Sequence, residues 1–378
     1  MPQQKKDVRP IEGYPTNDRA LTSLNIYHIL KTETISSVPA ISKKTGLSED
    51  VVAEYVNLYI KKDLVVIDGK RSSKNILKFN KDNKKFLGIG FSSKACYLTV
   101  IDLAGDIVSR ERIKIPSLCD MKGRVRDVKR IIDEIENETK LKGKKFFYAG
   151  SALAERMKTW NVKNAEMLTR NISRMFGCNV MTVKEATAAA YGEREFGDKA
   201  RGKDILYMHM DVGTGVVIKN ETIFEAPENA AGDNDISYLR PWTQFNIVEI
   251  AKHLVNKGVG TNMVNMVNGE VDDITLDIVL QAAENKDEVA EDLVRRAGLA
   301  LGLRAAYLSN MFTPEILVLG GGTERQEGGF VGFAEESAKR FFMKKQKSRV
   351  KIIPAVLGKE SFSIGAAALC RRELFREV

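Results

Sequence analysis

Two glycine-rich turns have residue types that suit phosphate chemistry. Gly213-Thr214-Gly215 follows the apolar run Ile205–Met210, and Gly320-Gly321-Gly322 follows the apolar run Ile316–Leu319. Glycine allows close approach to a phosphate because it has no Cβ and tolerates positive φ. The turns therefore predict the remnant of a nucleotide site. A glycine turn after a strand is also found in many α/β proteins without a nucleotide, and that alternative stays open.

Positive charge is concentrated in the first quarter of the chain. The whole sequence carries a formal net charge of +9, and residues 1–85 hold 16 Lys+Arg against 10 Asp+Glu. Two thirds of the net charge therefore lie in this segment. A basic module attached to a near-neutral body indicates a polyanion as partner. A charge excess that serves only solubility is the alternative.

Residues 15–80 are predicted to form a winged helix-turn-helix domain. Apolar residues at helical spacing predict a first helix, Gly46 ends a second, and Ser48 caps a third. The runs Leu64–Ile67 and Ile76–Phe79 are expected to pair as a hairpin with a basic tip. Helix, helix, turn, helix and wing is the order found in DNA-binding domains.

Basic and amide side chains of this domain are the candidates for DNA contact. They are Lys43, Lys44, Asn57, Lys61, Lys70, Arg71 and Lys74. The cations suit phosphates, while Asn57 or the wing would read bases. The third helix also carries Glu49, Asp50 and Glu54, which suit a helix N-terminus but suit a phosphate-lined groove poorly. Glu can accept from cytosine N4, so specific readout remains open, as does a winged helix used for protein contact or dimerisation.

The remainder of the chain predicts an α/β body. After residue 85, apolar strand-like runs alternate with helical stretches, as expected for layered α/β architecture. The four cysteines are far apart, without a CxxC pair or a Cys/His cluster, so neither a zinc site nor a disulfide framework is predicted. Reduced thiols and a cytoplasmic location are expected. No apolar run of about 18 residues occurs, so no membrane partner is expected.

Several segments of the body resemble the ROK family (repressor, open reading frame, kinase). They are Gly88–Gly105, Thr182–Glu193, Asp211–Asn220, Pro314–Gly322 and Ile353–Ala367. A winged helix before a sugar-kinase-like body is the layout of ROK transcriptional regulators. The resemblance implies a two-lobed, actin-like ATPase fold. One lobe would comprise residues 86–195 plus a C-terminal helix at about 361–378, and the other residues 196–360.

The positions of the family's kinase chemistry have changed in this chain. Gly90 stands where family kinases have an Asp that organises magnesium or water at the phosphates. The catalytic Asp aligns with Glu185, which could act as a general base or could simply favour a helix N-terminus. Lys184 replaces an Asn, and Asp233 aligns with a sugar-binding Glu. The resemblance thus implies effector binding by Lys184, Glu185 and Asp233.

The cofactor positions of the family have changed as well. The Cys and His ligands of the family's structural zinc are missing, so no metal is expected. Further glycines of the phosphate loop around Gly213-Thr214-Gly215 are missing or displaced. We therefore expect neither zinc nor ATP as a cofactor.

Together these features predict a sugar-responsive transcriptional repressor. It would bind double-stranded operator DNA as a homodimer or homotetramer, and its catalytically inactive body would bind a sugar or sugar phosphate. Two alternatives stay open. One is a ROK sugar kinase in which Glu185 acts as base, and the other is a non-enzymatic binding or scaffold protein.

Overall fold

The computed structural model describes ten stretches of the chain: residues 19–32, 37–71, 74–92, 95–116, 125–153, 162–209, 214–225, 247–320, 329–347 and 349–378. Contacts divide the protein into two units. The first comprises Met1–Asn83 together with Arg372–Val378, and the second comprises Lys84–Arg371. The sequence placed the whole C-terminal helix with the first lobe of the body. Its last seven residues instead belong to the N-terminal unit, because their side chains pack there.

The first unit is a three-helix domain with a β-hairpin. Its elements are α1 (Arg19–Thr32), α2 (Val38–Thr45), α3 (Glu49–Lys61), β1 (Val65–Arg71) and β2 (Lys74–Phe79). The strands are antiparallel, with Val65 opposite Phe79. Gly46 ends α2 in the left-handed region at φ 75°, and the Ser48 side chain caps α3 by accepting from Val51 N. The predicted winged helix is therefore confirmed in element order and in both helix boundaries.

The second unit begins with a five-stranded sheet. Its strands are β3 (Lys85–Ser92), β4 (Ala95–Asp102), β5 (Ile107–Lys114), β6 (Tyr148–Leu153) and β7 (Asn179–Lys184). They are ordered β5-β4-β3-β6-β7, with antiparallel β5, β4 and β3 followed by parallel β6 and β7. Apolar residues of α4 (Val125–Glu138) and α5 (Val162–Phe176) pack with this sheet into one core.

A second sheet follows α6 (Glu185–Phe196). Its strands are β8 (Ile205–His209), β9 (Thr214–Lys219), β10 (Thr222–Glu225), β11 (Ile316–Gly320) and β12 (Lys351–Pro354). They are ordered β10-β9-β8-β11-β12, again with three antiparallel strands followed by two parallel ones. Its core includes residues of α7 (Ile247–Asn256), α8 (Met263–Met266), α9 (Leu276–Glu284), α10 (Glu288–Phe312) and α11 (Phe330–Phe341).

The two sheets thus repeat one topology. In each, the strands lie in the order third, second, first, fourth, fifth along their own segment. The body is a duplicated α/β unit, a relationship that weak self-similarity in the sequence did not reveal. The remaining helices are α12 (Lys344–Lys347) and α13 (Ser361–Arg376).

Glycines let α13 lie directly on the first sheet. A Cβ added at Gly88 would lie 1.7 Å from Ser363 O, and one at Gly150 would lie 2.5 Å from Ala366 O. Within α13 itself, a Cβ at Gly365 would lie 1.7 Å from Ala188 O of α6. Backbone therefore touches backbone at these points, and α6 and α13 are fixed against each other and against the sheet. Among the described residues, no helix is both long and apolar enough to cross a membrane.

Candidate functional site

The start of α6 brings together one side chain predicted to bind an effector, Lys184, and two that were not predicted, Thr187 and Glu225. Lys184 Nζ lies 3.2 Å from Glu225 Oε1 at the end of β10. Thr187, one turn into α6, donates its hydroxyl hydrogen bond to the other oxygen of the same carboxylate. Lys184 and Glu225 are both partly exposed, so the cluster is accessible to a solute. Glu225 was missed from the sequence because it lies in a short, polar edge strand.

Glu185 is the first residue of α6. An acidic residue in the first turn of a helix complements the helix dipole. With Lys184 and Glu225, it gives the cluster one positive and two negative groups. A net negative cluster attracts neutral polyols or cations better than the phosphates of a nucleotide.

Gly90 has a packing role at the position where family kinases have an Asp. A Cβ added there would lie 2.8 Å from both Phe362 Cβ and Ser363 N of α13. The space for a carboxylate is therefore filled by the backbone and side chain of α13. A larger residue would have to displace this helix from the sheet.

The described glycines of the two glycine-rich turns also face protein atoms. A Cβ at Gly215 would lie 2.7 Å from Leu308 Cδ1, and one at Gly320 would lie 2.3 Å from the Tyr207 hydroxyl oxygen. At Gly320 the neighbour is a rigid tyrosine ring, so a larger residue there would disturb the packing, whereas the Leu308 side chain near Gly215 could shift aside. In the sheet, His209 at the end of β8 pairs with Thr214 on one side and Gly320 on the other. This buried histidine lies at the predicted nucleotide remnant and was not among the predicted site residues.

Four predicted site residues lie outside the described residues: Gly213, Asp233, Gly321 and Gly322. Their assignments stay predictions. Within the described part of the chain, no group of three or more His, Cys, Asp or Glu residues is placed to hold a metal ion.

Two carboxylates of α6 bind α13 and the segment that precedes it. Glu193 accepts hydrogen bonds from the backbone N–H groups of Val356 at 2.9 Å and Leu357 at 2.8 Å. Glu195 pairs with Arg371 of α13 at 2.7 Å, and both side chains are almost fully buried. The start and the end of the body's part of α13 are therefore tied to α6, the helix that carries Lys184 and Glu185.

The candidate DNA contacts on α2 and α3 are exposed. Lys43 and Lys44 are exposed in the last turn of α2, and Asn57 and Lys61 are exposed one turn apart on α3. The backbone of the hairpin pairs Lys70 with Asn75 and Arg71 with Lys74 at its far end. The exposed face of α3 also presents Asp50 and Glu54, so its first half is acidic, while Asn57 and Lys61 lie in its second half.

Comparison with known proteins finds a family match in the C-terminal part of the body. The family description "ROK family" matches residues 256–373. A curated relative, the xylose repressor of Caldicellulosiruptor bescii, is 24% identical over 343 residues, covering 80% of this chain and 84% of that protein. The relative thus extends well beyond the matched domain.

Solved structures share the fold. A ROK family transcriptional regulator described as a homologue of the E. coli MLC protein has a TM-score of 0.65 and 16% identity, covering 94% of this chain and 96% of its own. A ROK family glucokinase from Streptomyces griseus, solved with glucose and AMPPNP, has a TM-score of 0.57 and 20% identity, covering 75% of this chain and 98% of its own. These likenesses confirm the predicted fold class, a winged helix followed by a two-lobed, actin-like sugar-kinase fold.

Proposed function

We propose that this protein is a sugar-responsive transcriptional repressor. A ROK family domain follows a winged helix in its chain. The proposal rests on one observation. The alignment with the xylose repressor covers 80% of this chain, which is a larger share of the chain than the body alone makes up. The repressor would act in the cytoplasm as a homodimer, because two-fold proteins read paired half-sites on DNA.

DNA binding is tested with the DNA that flanks the protein's own gene. We expect a specific complex whose affinity falls steeply with salt concentration, since the cations of α2 and the wing would displace counterions from phosphates. The double variant Lys43→Gln/Lys44→Gln should bind more weakly on all sequences and with a shallower salt slope. Equal binding to flanking and unrelated DNA would reject operator recognition.

The effector would bind at the start of α6. Lys184, Glu185, Glu225 and the predicted Asp233 supply hydrogen-bond donors and acceptors suited to sugar hydroxyls. D-xylose is the first probe, because the curated relative is called a xylose repressor. Titration calorimetry should show binding in the native protein and weaker binding in Glu225→Gln, while Glu270→Gln, on an exposed loop, should bind like the native protein. If no sugar or sugar phosphate binds, this part of the proposal fails.

We propose further that the body transfers no phosphate and needs neither zinc nor ATP. The packing of Gly90, Gly215 and Gly320 against protein atoms supports this, because phosphoryl transfer relies on positioned charges and close backbone contacts to phosphates. ATP hydrolysis or sugar phosphorylation that disappears in Glu185→Ala would instead support a sugar kinase. Retention of DNA binding after treatment with a metal chelator is the matching expectation for zinc.

A further inference from the structure

The core of the winged-helix unit contains an aromatic ring from the end of the chain. Phe375 is fully buried, and its ring stacks on that of Tyr27 in α1 with centroids 4.4 Å apart. Edge contacts join it to Tyr59 of α3 at 5.2 Å and to Phe79 of β2 at 5.5 Å. One ring therefore contacts two helices and the wing at once.

Polar contacts hold the backbone of the same residue. The Ser23 hydroxyl donates to the carbonyl oxygen of Phe375. The Tyr59 hydroxyl in turn donates to Ser23 O at 2.8 Å and lies 2.6 Å from Ser23 Oγ. All these groups are buried, and buried polar groups are costly when they lose their partners. Removing the end of α13 would therefore leave an aromatic cavity in this core and take the carbonyl acceptor from the Ser23 hydroxyl.

The helix that carries Phe375 begins in the other unit. At Ser361 it starts on the first sheet of the body, and Arg371 anchors it there through the buried pair with Glu195. The helix then continues without interruption from Arg371 to Phe375, entering the first unit at Arg372.

We infer that residues 372–378 are a structural component of the DNA-binding unit, and that this unit keeps its affinity for DNA only while they complete its core. The affinity readout rests on the proposed function, whereas the structural readout does not. The winged helix attains its native core only with the C-terminal end of an unbroken α13 in place.

Hydrogen exchange and DNA binding of the full-length protein test this inference. In Phe375→Ala we expect protection of α1 and α3 amides to fall by about tenfold or more, with β8 and β11 unchanged. Affinity for the flanking DNA should fall by about tenfold or more as well, because the reading helix loses its support. Glu377→Ala, which changes an exposed side chain at the same helix end, should behave like the native protein.

Continuity of the helix is tested separately. Glu373→Pro keeps the Phe375 ring but interrupts α13 at the junction, and it should produce the same selective loss in α1 and α3. Native protection in this variant would overturn the role of an unbroken helix. Native protection in Phe375→Ala would overturn the inference as a whole.

Two further outcomes are decisive. If Phe375→Ala unfolds the entire protein, Phe375→Leu replaces it: loss confined to α1 and α3 supports the inference, and loss spread equally over both units overturns it. If the native protein binds no DNA, the proposed function fails, but the exchange comparison still decides whether the C-terminal residues complete the winged-helix core.

Discussion

Arg194 of α6 and Glu221 of the β9–β10 turn form an ion pair that is almost completely removed from solvent. Their side chains are 2% and 3% exposed, and the nitrogen and oxygen atoms lie 2.5 Å apart. Burial alone lowers the pKa of Arg194, but the Glu221 carboxylate outweighs it and the net shift of this pKa is upward. The pair therefore ties a hairpin of the second sheet to the helix that bears the candidate effector site.

Removing one partner of this pair should destabilise the protein more than replacing both partners by apolar residues. Glu221→Gln removes the nearer of the two carboxylates around the buried Arg194 charge and leaves only Glu195, at 3.9 Å. We expect a loss of about 3–5 kcal/mol in the free energy of unfolding. The double variant Arg194→Met/Glu221→Leu should lose less, because both charges of the pair are removed and Glu195 stays paired with Arg371. Urea unfolding of both variants makes the comparison. A double variant that is less stable than Glu221→Gln would contradict this account.

Restoring the kinase carboxylate at Gly90 should damage the fold without creating activity. Gly90→Asp forces a side chain against Phe362 and Ser363 of α13, and we expect a loss of about 1–3 kcal/mol or more. Thermal unfolding and an ATP turnover assay measure the two effects. Gly260→Asp is the matched control, since a Cβ at Gly260 meets no atom within 4 Å. A stable, ATP-hydrolysing Gly90→Asp protein would show that the site has room for kinase chemistry.

Asp287 should make stability depend on pH in the acid range. Its carboxylate caps α10 by accepting from Ala290 N at 2.9 Å and also accepts from Asn262 N at 2.7 Å and the Thr261 hydroxyl at 2.9 Å. Burial raises the pKa of Asp287, but these hydrogen bonds outweigh it and the net shift is downward. A depressed pKa in the folded state stabilises the protein above the unfolded value of about 3.9, and this contribution is lost as the pH falls through the folded value.

The test compares native protein with Asp287→Ala. Loss of the cap should cost about 1–2 kcal/mol in the free energy of unfolding at pH 7. The difference between the two proteins should shrink below about pH 4, as the native carboxylate becomes protonated. Urea unfolding across this range measures it, and a difference that does not change with pH would contradict the assignment.

An apolar patch at the ends of α10 and α11 is the surface on which we expect a second copy to dock. Tyr307 and Met311 are 66% and 60% exposed, and Phe341 and Met343 are 49% and 64% exposed. The Asn310 side chain joins the two helix ends by donating to Phe341 O and accepting from Met343 N. Large apolar side chains that are exposed at neighbouring helix ends are typical of interaction surfaces.

Charges in this patch should therefore separate the copies. We expect a dimer for the native protein in light scattering and a monomer for Tyr307→Glu/Met311→Glu, because burying two carboxylates in an apolar interface is costly. Val108→Glu introduces the same charge at an exposed apolar residue of the edge strand β5 and should stay dimeric. A dimer that persists in the double variant would move the interface elsewhere.

Local sequence signals predict the winged helix well. Gly46 and Ser48 end one helix and begin the next through backbone conformation and a side-chain hydrogen bond, effects that need only neighbouring residues. The edge strand β5 was not predicted, because it contains several Arg, Glu and Lys residues and its sequence resembles that of a surface loop. β10 escaped prediction because it has four residues.

Contacts between residues that are far apart in the chain could not be predicted from the sequence. Glu195, Glu221 and Arg371 belong to residue types that are normally exposed, and only the approach of α6, a turn and α13 makes them buried partners. Gly90 was interpreted as a lost carboxylate, whereas its contact with α13 is set by a segment some 270 positions later. The repeated sheet topology is a property of the backbone path and leaves little trace in side-chain identity.

The late position of Phe375 in the sequence affects when the N-terminal unit can fold during synthesis. Domains usually fold in the order in which they leave the ribosome, and the ribosome adds roughly 5–20 residues per second. The winged-helix core requires residues that follow the 288-residue segment Lys84–Arg371. At these rates, synthesis of this segment takes on the order of 15–60 s, and Phe375 becomes available to the N-terminal unit only after that time. A nascent chain therefore completes its DNA-binding core only after the whole body has been translated, so truncated products of translation would lack a finished DNA-binding surface.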